Sequence, residues 1–298
     1  MELEHLRVCN LCENNNISSI DEKNNVCQCR HCGYVFYNPR PTWDEIVGFY
    51  SRIDKYDSWL EELEERDLLW KRRLRLVKRH KASGSLLDVG TGIAQFLSIA
   101  KDNFEVKGTE ISQSAIIIAK EKYHIDVNHG EIERIEFNSK FDVITLFHVL
   151  EHVPNPLLTI KRCKELLNNE GILIVAVPNN VISIKSVIKR LLSILQIGRF
   201  SNCGRLGLPK LELNGSQREI HLSHFTPSVL KKFLERNGFA VIRNTLDPYY
   251  AAKGVKKMFH DLLYLFCLVV MKIFRINLYD TIWMVAKSSG VNTSRDSG

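Results

Sequence analysis

The chain has 298 residues, 45% of them hydrophobic and 25% charged, which is too long for one minimal domain and suits a folded core with an appendage. Lys and Arg outnumber Asp and Glu by 41 to 34, and the net charge of +7 permits an anionic partner without requiring nucleic acid. Neither a signal peptide at the polar start Met1-Glu2-Leu3-Glu4-His5 nor a spanning segment is visible, so a cytoplasmic chain is expected, its eight cysteines kept as thiols or metal ligands.

Cys9-Asn10-Leu11-Cys12 and Cys29-Arg30-His31-Cys32 are two knuckles separated by sixteen residues. That spacing can place four thiolates on one tetrahedral ion, and it predicts structural Zn2+ on Cys9, Cys12, Cys29 and Cys32. A redox pair is the alternative reading, Cys27 could replace Cys29, and His31 reads as a bystander. Residues 1–40 form the zinc-ribbon leader, which loss of metal is expected to unfold before the core. Residues 41–82 form a helical connector starting at Thr42-Trp43-Asp44-Glu45. In it an acidic run, Glu61 to Glu65, precedes a basic one, Lys71 to Lys81, which reads as a solvated amphipathic helix in preference to a binding patch.

The core is expected over 83–287. Leu86-Leu87-Asp88-Val89-Gly90-Thr91-Gly92 rises as a strand into an acidic residue and turns on two glycines before a helical pattern resumes. Glycine there lets the backbone approach a ligand with no Cβ in the way. A second strand, Phe104 to Thr109, ends at Glu110, eighteen residues past Gly92. Ser112 caps a helix to Tyr123, Ile125-Asp126-Val127 is a short third strand, and His129-Gly130-Glu131-Ile132 follows. Phe141 to Phe147 and Gly171 to Pro178 are the fourth and fifth strands, the latter apolar throughout as a strand covered on both faces would be. Gly238 to Ile242 and Asp280 to Ala286 are the sixth and seventh, the last antiparallel. The order predicts an α/β fold, a seven-stranded, doubly wound, mostly parallel sheet with helical insertions.

Two insertions interrupt the core. In 180–220, Ile182 to Phe200 is apolar at helical spacing with interspersed cations, a pattern that suits a lid, a membrane-surface helix or ordinary packing; lid is the expectation. Asn202 to Gln217 reads as a mobile loop. In 250–278, the ten-residue apolar run Leu262 to Met271 is too short to span a bilayer and gives a second surface for membrane or partner contact. Between the insertions, His221-Leu222-Ser223-His224-Phe225-Thr226-Pro227 opens a helix with Thr226 as cap and Pro227 at its first position. Residues 288–298 are a polar tail.

Asp88-x-Gly90-x-Gly92 followed by Glu110 resembles the S-adenosylmethionine (SAM) site of class I methyltransferases, a likeness covering roughly residues 80–250. It implies SAM over Asp88, Gly90 and Gly92, ribose on Glu110, adenine beside Ile111, Glu131 and Ile132, and the methyl group near Phe147. Phe147-His148-Val149-Leu150-Glu151-His152-Val153 resembles the motif of methyltransferases of small molecules and lipids, and departs from the signature of those acting on base amino groups. Cys32-Gly33 with Asn38-Pro39-Arg40-Pro41 is similar to zinc-ribbon leaders ahead of sugar-, glycan- and antibiotic-modifying methyltransferases, which implies that Tyr50 and Tyr56 cover the site or pack the leader on the core.

The resemblance implies methyl transfer to a hydroxyl or carbon of a small-molecule, sugar, glycan or lipid-linked acceptor. A ribosomal RNA methyltransferase and a non-catalytic SAM-binding zinc-ribbon protein are the alternatives. Peripheral contact with the inner face of a membrane is an expectation from the two amphipathic stretches, and the oligomeric state is open. His148 is the expected general base, with His221 or His224 shaping the acceptor pocket. The same histidines with Glu151 and His152 resemble the Glu-x-x-Glu-His metal site of some ubiquinone-pathway and small-RNA methyltransferases, and a purely structural role is the third reading.

Overall fold

The computed structural model describes residues 2–52, 56–197, 204, 206–214, 217, 219–247 and 254–289. The leader carries β1 (Leu3–Glu4), β2 (Ile17–Asp21), β3 (Val26–Cys29), β4 (Val35–Tyr37) and β5 (Arg40–Pro41). Helices α1 (Trp43–Tyr50), α2 (Asp57–Glu61) and α3 (Leu63–Lys78) form the connector. The core runs β6 (Gly84–Val89), α4 (Gln95–Ala100), β7 (Phe104–Glu110), α5 (Gln113–Tyr123), β8 (Asn128–His129), β9 (Phe141–Phe147), α6 (Pro156–Leu166) and β10 (Leu167–Pro178). It ends with α7 (Ile184–Ile194), β11 (Ser223–His224), α8 (Pro227–Arg236), β12 (Phe239–Thr245), α9 (Gly254–Phe274) and β13 (Thr281–Ser288).

Seven strands form the expected sheet, in the order β12-β13-β10-β9-β6-β7-β8. Pairing is parallel from β8 through β10, and β13 runs antiparallel to both β10 and β12. Side chains alternate across it as strand geometry requires. Leu87, Val89, Ile144, Leu146, Leu173 and Val175 face α6 and α8, whereas Leu86, Val143, Phe147, Ile172 and Ile174 face α3 and α4. Both faces are covered, which accounts for the unbroken apolar run in β10. Strand β6 is flanked by β7 on one side and β9 on the other, so the strand order reverses there, and a crevice opens beyond the carboxyl ends of these strands.

Several local expectations hold. The Ser112 hydroxyl accepts from Ala115 N, and Thr226 caps α8 with Pro227 at its start. The third strand is displaced from 125–127 to Asn128–His129, because His124 ends α5 in the left-handed conformation and Ile125 turns inward to be buried. Strand β13 runs on through Ser288, and residues 290–298 of the expected tail lie outside the described residues.

The leader is built into the rest of the chain. Strand β11, from beyond the first insertion, pairs with β4 as the edge of the leader's four-stranded sheet, order β11-β4-β3-β2. Leu208, Leu211, Ile220 and Leu222 share a hydrophobic cluster with Val26, Val35 and Ile46. Cys9, Leu11, Tyr34 and Phe36 belong to the same cluster as Phe225, Phe233 and Met284. Leader and core therefore bury one continuous apolar interior.

Candidate active site and cysteine cluster

A cleft of about 930 Å3 lies at the carboxyl ends of β6, β7 and β9, within the range of ligand sites. Gly90, Gly92, Glu110, Ile111, Glu131, Ile132, Phe147 and His148 all border it. Asp88 does not: it is buried, and its Oδ1 accepts from the Thr145 hydroxyl at 2.6 Å, tying β6 to β9 beneath the glycine turn. Burial raises its pKa to about 7 against the lowering effect of Thr145. Asp88 thus shapes the turn from below.

Glu110 is fixed by backbone donors. Its Oε2 accepts from Gly92 N at 2.8 Å, and Oε1 accepts from Ile111 N at 2.8 Å and Ser112 N at 2.9 Å. These bonds clamp the carboxylate to the glycine turn and the start of α5, and leave lone pairs for a ribose. Burial still raises its pKa above the usual carboxylate value.

Gly90 and Gly92 both have positive φ, and each is closely approached: a Cβ on Gly90 would lie 2.7 Å from Val149, and one on Gly92 would lie 2.7 Å from the Trp59 ring. Trp59, on α2, covers the turn, and the Arg66 guanidinium stacks 3.9 Å over its ring. The cover comes from the connector. The expected lid, Ile182–Phe200, behaves differently: its described part forms α7, none of whose residues borders the cleft. Residues 198–200 of that stretch lie outside the described residues. Tyr50 and Tyr56 line the cleft, and Tyr56 packs on Trp59 and Ile93.

A chain of charged groups crosses the far end of the cleft. Arg73, expected on a solvated helix face, is buried, donates from Nε to Asp247 Oδ1 at 2.9 Å, and pairs again through its Nη2. The neighbouring cations of α3 stay on its wet side while Arg73 turns toward the core, its guanidinium over Phe147 at 5.1 Å. Asp247 Oδ2 lies 3.3 Å from His148 Nε2, and Glu151 Oε1 lies 3.4 Å from His148 Nδ1. Burial alone would depress His148, but the hydrogen bonds to Asp247 and Glu151 outweigh it and raise its pKa. Both ring nitrogens face carboxylates, and that is a poor resting state for taking a proton from an acceptor. The residue sits at φ 59°, a strained conformation for a side-chain-bearing residue, held by His148 N donating to Ala176 O.

Glu151, His152 and His221 converge, with one ligand atom from each lying within 4.8 Å of the others. The Glu151 carboxylate is buried, and its Oε1 faces His148 Nδ1 at 3.4 Å. His152 Nδ1 lies 2.7 Å from Ile220 O and 2.9 Å from the Tyr50 hydroxyl. A proton on Nδ1, donated to that carbonyl, leaves Nε2 bare toward Glu151 at 3.8 Å. His221 Nε2 is 3.4 Å from Glu219 Oε2. A buried carboxylate beside two imidazoles is the donor set of a divalent cation site, with His148 as the outer partner that orients the carboxylate, and the residues fit such an ion.

His224 stands next to this cluster without joining it, its ring centroid 6.3 Å from that of His221. It lies in β11 against Tyr37, 4% exposed, and neither ring nitrogen has a hydrogen-bond partner among the described residues. Burial drives its pKa down to about 3. The native state therefore keeps it neutral while the unfolded chain, with the ordinary value near 6.5, takes a proton. Stability is unaffected above pH 6.5 and falls as pH drops below it, by about 2 kcal/mol at pH 5 from this residue alone. His224→Phe should flatten that acid limb in urea melts between pH 7 and 5; an unchanged limb would place the titration elsewhere.

The four expected cysteine ligands also meet. Cys9 Sγ is 3.8 Å from Cys32 Sγ and Cys12 Sγ is 3.7 Å from Cys29 Sγ, with all four within 4.8 Å of one another. With Zn–S bonds of roughly 2.3 Å, the edge of a tetrahedron is about 3.8 Å. Cys27 is excluded, since its thiol points to Asn38 O at 3.6 Å.

A family model described as "Methyltransferase domain" matches residues 59–244. The chain is 33% identical over 106 residues to a ubiquinone biosynthesis O-methyltransferase of Glaesserella parasuis serovar 5, covering 32% of this chain and 45% of that protein. It is 32% identical over 131 residues to the uncharacterized protein MJ1123 of Methanocaldococcus jannaschii, covering 43% and 60% respectively. The chain thus spans about half the length of the curated relatives it matches. Among solved structures, a chain of the Haloferax volcanii complex between the Trm112 methyltransferase activator and a methyltransferase superposes with TM-score 0.50 at 14% identity, over 79% of this chain and 96% of that one, a likeness of fold alone.

Proposed function

Because the chain belongs to the methyltransferase-domain family matched over 59–244, we propose that it transfers the methyl group of SAM to a hydroxyl of a small-molecule, sugar or lipid-linked acceptor. The observation that carries the choice of a hydroxyl is Glu151, a buried carboxylate held by His148 and gathered with His152 and His221 beside the cleft. The name O-methyltransferase borne by the Glaesserella relative agrees with an oxygen acceptor.

In this reading Glu110 fixes the ribose hydroxyls, Ile111, Glu131 and Ile132 flank the adenine, and Gly90 and Gly92 admit the methionine end under Trp59. SAM supplies an activated methyl carbon, and the protein aligns it with the acceptor oxygen. A divalent cation held by Glu151, His152 and His221 would lower the pKa of the acceptor hydroxyl. His148, locked between Asp247 and Glu151, orients Glu151 and takes no proton. Ile220 O keeps the His152 ring turned so that Nε2 faces inward. Zinc on Cys9, Cys12, Cys29 and Cys32 is structural, since four protein thiolates leave it no open position.

Methyl transfer from labelled SAM to a panel of phenolic, glycosyl and prenylated hydroxy acceptors tests the assignment. His152→Ala is expected to lower kcat about a hundredfold, at the lower end for losing acceptor activation, and leave SAM affinity unchanged. Dialysis against a chelator should reproduce that loss, with recovery on adding Mg2+, Mn2+ or Zn2+. Full turnover by His152→Ala would reject the cluster as the activating group. Methylation confined to amine acceptors would reject the hydroxyl.

A further inference from the structure

Helix α9 is 21 residues long, and Cys267 is its one buried side chain. Its inner face, Leu263, Tyr264, Leu268 and Met271, rests on a small cluster around Leu246 and Tyr279. The opposite face is also apolar and lies in solvent. Val255, Phe259, Leu262, Phe266, Val269 and Ile273 recur every three or four residues along one stripe, with Phe259 65% and Leu262 60% exposed. Lys256, Lys257, Lys272 and Arg275 stand along the same helix and its end. A stripe of this size left in water marks an interaction surface.

Helix α7 adds to it. Ile184 packs into the same cluster as Leu263 and Tyr264, so the two helices adjoin. Val187, Ile188, Leu191, Ile194 and Leu195 form a second exposed apolar stripe, accompanied by Lys185 and Lys189. Among the described residues no helix is long and apolar enough to cross a membrane. Apolar stripes on two adjoining helices, with cations beside them, match helices lying in the plane of an anionic bilayer, apolar side among the acyl chains and cations at the headgroups.

We propose that α7 and α9 form one docking face by which the protein sits on an anionic lipid surface. Lys256, in the first turn of α9, also borders the cleft, so docking brings the cleft mouth to the headgroup layer. The docking does not depend on which acceptor is methylated. If the proposed transfer to a lipid-linked hydroxyl holds, the substrate would enter from that side.

The test is flotation of the full chain with vesicles of phosphatidylcholine alone and of phosphatidylcholine mixed with phosphatidylglycerol, at low salt. We expect flotation with the mixed vesicles, weakened by salt, and little with the neutral ones. Leu262→Glu with Phe266→Glu should abolish it. Lys185→Glu with Lys272→Glu should weaken it by about fivefold or more per cation. All four positions are exposed and none borders the cleft, and unchanged SAM binding by calorimetry in each variant confirms that the core is intact. No flotation of the native chain with anionic vesicles overturns the proposal, as does flotation that survives Leu262→Glu/Phe266→Glu. A native dimer that fails to float and becomes monomeric in that double variant would assign the face to a second copy of the chain.

Discussion

Stripping the metal proposed for Cys9, Cys12, Cys29 and Cys32 is expected to destabilise the entire chain, with no separate early melting of the leader. Apparent binding free energies of structural zinc are about 10–16 kcal/mol in small domains, and most of that is folding energy of the surrounding turns. Cys9, Leu11, Cys27 and Cys29 lie in the same cluster as Leu230, Phe233 and Met284, so loss of the knuckles exposes the α6–α8 face of the core sheet. The damage should also reach the cleft. Strand β11 hangs on β4, and the Tyr50 hydroxyl on α1 bonds to His152 Nδ1 and accepts from Ile220 N, so disorder in the leader frees His152 and His221. Calorimetric melting with and without chelator, on protein shown by metal analysis to hold about one zinc, gives the answer. A single transition, lowered by well over ten degrees in the stripped protein, is expected. Two transitions, with the upper one and SAM binding untouched, would show the leader to be an independent module. Cys29→Ser should mimic the chelator, whereas Cys27→Ser should keep the metal.

What the sequence made legible was whatever is encoded within one element or one turn. The apolar runs of β6, β9 and β10 are continuous because helices cover both faces of the sheet, and Ser112 and Thr226 announce the helices they cap. The glycines of the β6 turn and Glu110 mark the cofactor end because their spacing is local. The cysteine knuckles are read the same way.

The acceptor end is a long-range construction and was only partly legible. Arg73 and Asp247 are 174 residues apart, and nothing in a basic run distinguishes the one cation that turns inward from those that stay wet. Trp59 and Arg66 carry no signal in the sequence, since an aromatic in a short charged helix has no periodic partner; Trp59 over Gly92, and Arg66 over Trp59, follow from how α2 and α3 fold back. Among the histidines, residue type does not reveal the partners. His221, in the loop before β11, joins Glu151 and His152, while His224, three residues on, pairs into the leader's sheet against Val35. Helical periodicity identified α7 and α9 but could not say which apolar face would find a partner.

Glu110→Ala should cost SAM about a thousandfold in affinity. Hydrogen bonds from ribose hydroxyls to a carboxylate contribute about 1.5–3 kcal/mol each, as bonds to charged groups do, and both would go. The substitution also removes the common acceptor of Gly92 N, Ile111 N and Ser112 N, leaving donors at the heart of the turn unpaired at roughly 1–3 kcal/mol for each that water cannot reach. The glycine turn would then lose its tie to the end of β7, and the cradle for the methionine end would loosen together with the ribose contact. Glu110→Gln should fall between the two: one oxygen can still serve Ile111 N and Ser112 N, but an amide nitrogen facing Gly92 N sets donor against donor. Affinities for SAM by calorimetry, beside thermal melts without ligand, separate binding from folding. The charge itself can be tested without mutation. Burial raises the Glu110 pKa, so protonation begins at a higher pH than for a free glutamate, and SAM affinity should weaken as the medium is acidified toward that value, in the native chain and not in Glu110→Gln. An alanine variant that melts normally and binds SAM within twofold of the native chain would remove the ribose from Glu110, and with it the orientation of the cofactor in the cleft.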